Sequence, residues 1–165
     1  MDTLEIFALQ FLMSLIVYGL LAKWYLAPWL SQQSFNQALI ILIAPHAIRH
    51  LGLNFLVPGV VEPSIPVFFA NTAAYGDFVS GLLALLALIA LRRSWSLVLP
   101  IVWLFNIVGT LDLLNALRQA DAVPFLGATW YIPTFFVPIL LITHAMIFAQ
   151  LLQSIRPKDQ ATVVE

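Results

Sequence analysis

Pro45-His46-Ala47-Ile48-Arg49-His50 stands inside an apolar run from Phe35 to Val57 that is long enough to cross a bilayer. Residues four apart on an α-helix lie about 40° apart around its axis, so the spacing predicts His46, Arg49, His50 and Asn54 on one face roughly 140° wide. That face cannot point at lipid. An arginine near mid-bilayer costs at least about 2.5–3.5 kcal/mol on insertion scales, so such residues normally face the bundle interior, are paired, and mark function. Pro45 cannot donate to the carbonyl of Ile41, which predicts a kink one residue before His46 and a freed carbonyl beside the histidines.

The rest of the chain agrees with a membrane setting. Its 165 residues are 62% hydrophobic and 9% charged, against about 25% charged in a soluble domain. The composition reads as an all-α, polytopic integral membrane protein whose surroundings are the lipid bilayer. A net charge of -1 offers no basic surface, so no nucleic-acid partner is expected. Without cysteine there is no disulfide framework, thiolate metal site or C-x-x-C-H haem attachment, and any metal would rest on His, Asp or Glu. Met1-Asp2-Thr3-Leu4-Glu5 is acidic where a secretory signal is basic, and the apolar run behind it is longer than a signal core, so it reads as a retained helix.

Five runs each exceed the roughly 20 residues needed to span hydrocarbon: Leu4 to Ala27, Phe35 to Val57, Val67 to Leu91, Trp95 to Leu117 and Trp130 to Leu152. The expectation is a bundle of five transmembrane helices, with residues 1–157 as one domain and 158–165 as a short polar tail. Lys23, Arg92, Arg93, Arg156 and Lys158 flank one side, while the other has only Arg118 among Asp2, Glu5, Glu62 and Asp121. The positive-inside rule then puts the N-terminus outside and the C-terminus in the cytoplasm, in a bacterial-type plasma membrane. Two proline-rich connectors, Pro58 to Pro66 and Val123 to Pro133, fall on the outer side, where they would roof a site opening outward.

Two further spans turn acids inward. Asp77 sits in a stripe of small residues with Ala73, Ala74, Ser80, Gly81 and Ala84, the pattern that lets membrane helices approach closely. Asp112 shares a face with Asn106, Gly109 and Ala116, and the last span carries His144 beside Thr143. At 1.5 Å per residue, Asp112, His50, Arg49 and Asp77 lie about 8–15 Å deep, and His46, Asn106 and His144 about 17–21 Å.

One arginine against two aspartates leaves one negative charge to be balanced by a proton or a bound cation. The principal reading is a small-molecule or proton-linked site built from His46, Arg49, His50, Asp77, Asp112 and Asn106, in which Arg49 holds an anionic group. Three alternatives stand beside it. The first is a structural role, as a homo-oligomer or as an assembly subunit for a membrane partner protein. The second is a b-type haem protein using His144 with His46 or His50 as axial ligands. The third is an intramembrane hydrolase holding zinc on His46 and His50, with His144 or Asp77 as third ligand. No catalytic residue is assigned, because the chain has no nucleotide-binding glycine loop and no G-x-S-x-G elbow.

Topology is open to a direct check. Reporter fusions are expected to find the N-terminus outside and the C-terminus in the cytoplasm; both ends on one side would remove a span, most readily Val67 to Leu91.

Overall fold

A computed structural model describes residues 1–155, so Arg156, Lys158 and the tail at 158–165 lie outside the described residues. Five helices are long and apolar enough to cross a membrane: α1 (Thr3–Leu30), α2 (Phe35–Leu56), α3 (Val67–Arg92), α4 (Val98–Leu117) and α5 (Gly127–Ser154). They supersede the sequence-derived spans by three residues or fewer at each end, and no strand occurs among the described residues. Their length and apolarity support the reading of a membrane protein.

Local chemistry explains where the helices begin. Asp2 and Glu5 form a reciprocal capping box at the head of α1, and Ser34 Oγ accepts the Gln37 N–H at the head of α2. Two π-helical turns, Ala22–Leu26 and Ile132–Phe136, contain the residues four before Pro28 and Pro138. Each proline lacks the N–H that would bind that residue's carbonyl, and the wider turn absorbs the defect.

In α2 the proline does more than kink the chain. An α-helix from Phe35 to Ile43 gives way at Ala44 to a 3-10 helix that continues to Leu56. Such runs seldom exceed three or four residues. Here every third residue, His46, Arg49, Gly52 and Phe55, is buried against the bundle, and a repeat of three keeps them in one straight row. The expectation that His46, Arg49, His50 and Asn54 share a face is corrected accordingly. At about 120° per residue rather than 100°, positions four apart separate by about 120°, and His50 and Asn54 are exposed.

The 3-10 half of α2 lies along α3, α3 lies along α4, and α5 closes the bundle against α4 and the first half of α2. α1 is peripheral, packing mainly on α5, with no buried residue between Thr3 and Leu21. Its few polar groups serve that packing: Trp130 Nε1 donates to Gln10 Oε1 at 2.6 Å, and Tyr18 meets Phe135 edge-on.

Packing within the bundle changes character along its length. Toward the end bearing Lys23, Arg92 and Arg93, the core is Leu39, Leu42, Ile43, Val102, Phe105 and Ile147 with the alanines of α3. The buried charges lie nearer the opposite end, where the two connectors meet. Glu62 N–H donates to Phe125 O at 3.0 Å, and Ala128 N–H donates to Val60 O at 2.8 Å. Val57-Pro58-Gly59-Val60 closes by a Val60 N–H to Val57 O bond at 3.1 Å, with φ 83° at Gly59, as a type II turn requires.

Gly127, at φ 52°, faces a further constraint, because a Cβ there would stand 2.7 Å from Val60 O. Gly127→Ala is therefore expected to lower stability by about 2–3 kcal/mol, from left-handed backbone strain plus that clash, and Gly59→Ala by about 1 kcal/mol from the strain alone. Thermal melts in mild detergent measure both; the opposite order would mean that the connectors do not pair.

Candidate functional site

Arg49 reaches the bundle interior from the buried row of α2 and spends each guanidinium nitrogen there. Nε donates to Asp77 Oδ1 at 2.7 Å, Nη2 to Asp112 Oδ2 at 2.5 Å, and Nη1 to the carbonyl of Gly109 at 3.1 Å. Its side chain is 1% exposed, against 11% and 13% for the two aspartates. The guanidinium thus ties α2, α3 and α4 together with charge-assisted bonds, which are stronger than neutral ones.

Three glycines make room for this cluster. A Cβ at Gly52 of α2 would collide with the Asp77 side chain, and one at Gly76 of α3 with the Asp112 carboxylate. At Gly109 of α4 it would stand 2.8 Å from His144 Nε2 and 2.9 Å from Arg49 Nη1. In the sequence Gly109 shares a face with Asn106, Asp112 and Ala116, whereas Gly52 and Gly76 belong to no such pattern. The signal that finds all three is a glycine one residue from, or three residues from, an intramembrane charge.

A second polar layer lies next to the first. Thr143 Oγ1 donates to the carbonyls of Ile139 and Leu140, both at 3.0 Å, so it accepts from His46 Nε2 at 2.9 Å. Asn106 Nδ2 donates to His144 O at 3.2 Å, so its Oδ1 accepts from His144 Nδ1 at 2.6 Å. These bonds assign both tautomers. They leave His46 Nδ1 and His144 Nε2 as buried acceptors without a donor among the described residues, where the Ser80 hydroxyl is likewise unpartnered.

The sequence-predicted residues therefore divide. Arg49, Asp77 and Asp112 form the charged cluster; His46, Asn106 and His144 form the adjoining layer; His50 faces away, its Nδ1 3.3 Å from Ala47 O. Because His50 and His46 diverge, the two-histidine zinc pair does not assemble, and among the described residues no three His, Asp or Glu are grouped to hold a metal. His46 and His144 do meet, with ring centroids 4.1 Å apart. Rings in direct contact leave no space between them for a porphyrin, so this pair does not fit axial haem ligation.

On the side of the cluster facing the connectors lies a cavity of about 60 Å³, measured at the centre of a water-sized sphere. That is room for several waters, one ring or a short chain. Asp77 and Asp112 contribute its charged surface, and Phe7, Phe55, Phe69 and Leu113 are among its apolar walls. Sequence reasoning missed these three phenylalanines, which come from three different helices. Arg49 does not line the cavity, and no Lys, Arg or His does so among the described residues. In the other direction, beyond the two histidines, the buried side chains are apolar.

The chain belongs to the family described as Domain of unknown function (DUF8737), which matches residues 6–152 and so takes in every residue of both polar layers. No curated protein and no solved structure matches it.

Charge stoichiometry makes the cluster's response to neutralisation unequal. Arg49→Gln strands two carboxylates and is expected to cost about 3–5 kcal/mol, the usual penalty for breaking a buried pair. Asp77→Asn or Asp112→Asn leaves one arginine with one aspartate and should cost about 1–2 kcal/mol, since an amide oxygen still accepts the bond. Adding Asp77→Asn to Arg49→Gln should restore part of the loss. Melts of the four variants in detergent decide the matter, and aspartate changes as costly as the arginine change would refute the arrangement.

Proposed function

We propose that this chain is a membrane protein that binds a small molecule in the cavity beside Asp77 and Asp112, with the binding linked to a proton. In the proposed orientation the N-terminus is outside, the C-terminus is in the cytoplasm of a bacterial-type plasma membrane, and the cavity lies in the outer half of the bilayer. The observation that carries the reading is that two carboxylates share one guanidinium at the wall of an apolar cavity. With both ionised, one negative charge is left over where water is scarce, and a proton or a bound cation must balance it. A cationic ligand that meets the surplus charge displaces the proton to water, and the carboxyl takes a proton back when the ligand leaves.

Two features support access from one end only. The cavity lies under the paired connectors, and the core beyond His46 and His144 is apolar across α2, α3, α4 and α5. A polar path across the whole bundle is not what this packing favours.

Arg49 supports a second reading. Its three nitrogens are all bonded, which suits a lock that holds the bundle rigid for a partner protein or a second copy. Accessibility separates the two. The native chain has no cysteine, so single cysteines at Ala116 and Ala120 in the cavity wall, and at Ala84 in the apolar core, can be probed cleanly with a water-soluble maleimide. The binding reading expects Ala116→Cys and Ala120→Cys to react from one side while Ala84→Cys resists. A hydrophobic carbodiimide, which attacks protonated carboxyls, should modify Asp77 or Asp112 and do so less as pH rises. Unreactive cavity cysteines together with no carbodiimide adduct at any pH would leave the lock.

A further inference from the structure

We infer that the ligand of this cavity is a small apolar amine bound as its ammonium ion, an inference that rests on the cavity being a binding site. Three observations converge on that chemistry.

The first is the sign of the charge on offer. Arg49 is absent from the cavity lining, is 1% exposed and has all three nitrogens engaged by Asp77, Gly109 and Asp112, so it presents no charge to an anion entering the cavity. Such an anion would meet Asp77 and Asp112 instead. The expectation that Arg49 holds an anionic group is thereby reversed: the guanidinium holds the carboxylates, and the carboxylates face the ligand.

The second is unused acceptor capacity. Each carboxylate gives one oxygen to Arg49, and the others, Asp77 Oδ2 beside Gly52 and Asp112 Oδ1 beside Gly76, meet no donor among the described residues. An ammonium brings N–H donors together with the positive charge that balances the cluster. A neutral apolar molecule brings neither.

The third is the wall. Phe7, Phe55 and Phe69 come from α1, α2 and α3, and Phe55 and Phe69 stand edge to face with centroids 5.3 Å apart. Phenyl rings attract a cation through their faces and cover an apolar body equally well. With about 60 Å³ of space at the centre of a water-sized sphere, the cavity suits one ring or a short chain.

The test uses the full chain in a neutral maltoside detergent and three probes of one shape: benzylamine below its pKa, benzyl alcohol and benzoate. Calorimetric titration reads binding, and the melting temperature reports folding. Benzylammonium is expected to bind at least about 10-fold more tightly than benzyl alcohol, a typical gain for a charge-assisted bond, and benzoate not at all. Asp112→Asn should remove most of that preference while leaving benzyl alcohol within about 2-fold. Should Asp112→Asn fail to fold, Ala116→Phe serves instead, because it fills the cavity without touching the charges and should abolish binding of both. Benzoate binding more tightly than benzylammonium would overturn the inference in favour of an anion, and equal binding of amine and alcohol would reduce the cavity to an apolar cleft. Reactive cysteines at Ala116 and Ala120 with no probe binding at millimolar concentration would overturn the amine and leave the cavity standing. Unreactive cysteines together with no carbodiimide adduct would instead refute the cavity reading on which it rests.

Discussion

One guanidinium shared between two carboxylates is the constraint to which the rest of this bundle is fitted. Removing three ionised groups from water is costly, and the cost is recovered only where the geometry is close and the remaining donors are used. Arg49 engages all three of its nitrogens, with Asp77, Asp112 and the Gly109 carbonyl. The helices must approach closely for those bonds to form, and the bare Cα positions at Gly52, Gly76 and Gly109 permit the approach. The small residues of α3 serve the same end, bringing α2 and α4 against it from either side.

The 3-10 segment of α2 follows from the same requirement. A row of residues three apart stays straight only if the helix turns once every three residues. The row here comprises an imidazole, a guanidinium, a glycine and a phenyl ring, all directed into the bundle. The tighter helix rises about 2.0 Å per residue rather than 1.5 Å, so these 13 residues cover about 26 Å instead of about 20 Å. That extra length separates the imidazole layer from the phenyl ring at the cavity. Pro45, by removing one α-helical hydrogen bond at the start of the segment, lowers the cost of the change.

Polarity is graded along the bundle axis. An apolar cavity under the connectors meets the charged cluster, then the neutral imidazole layer with Asn106 and Thr143, then an apolar core. The two carboxylates thus stand at the cavity wall with the imidazoles behind them, on the side away from the connectors. The gradient is a property of packing, since each helix contributes only one or two of the groups that compose it.

The all-helical class, the five helices long and apolar enough to cross a membrane and the inward direction of Arg49, Asp77 and Asp112 were legible in the sequence, because each follows from transfer free energies that depend on residue type and length. The capping at Ser34 and the defect at Pro45 were legible because each follows from what one residue does to neighbouring backbone hydrogen bonds. That His46, Asn106 and His144 share one layer was legible from helix rise; that Thr143 rather than His144 bonds His46 was not, because facing residues on separate helices carry no mark of one another in a single chain. The position of His50 was misread because the α-helical period was applied to a segment where packing imposes a period of three, although the row His46, Arg49, Gly52, Phe55 is visible once that period is tried. What the tertiary structure alone decided is which side of the carboxylates the arginine occupies. That choice depends on the glycine notches and on where three phenylalanines from three helices leave space, and it determines whether the cavity presents a positive or a negative charge.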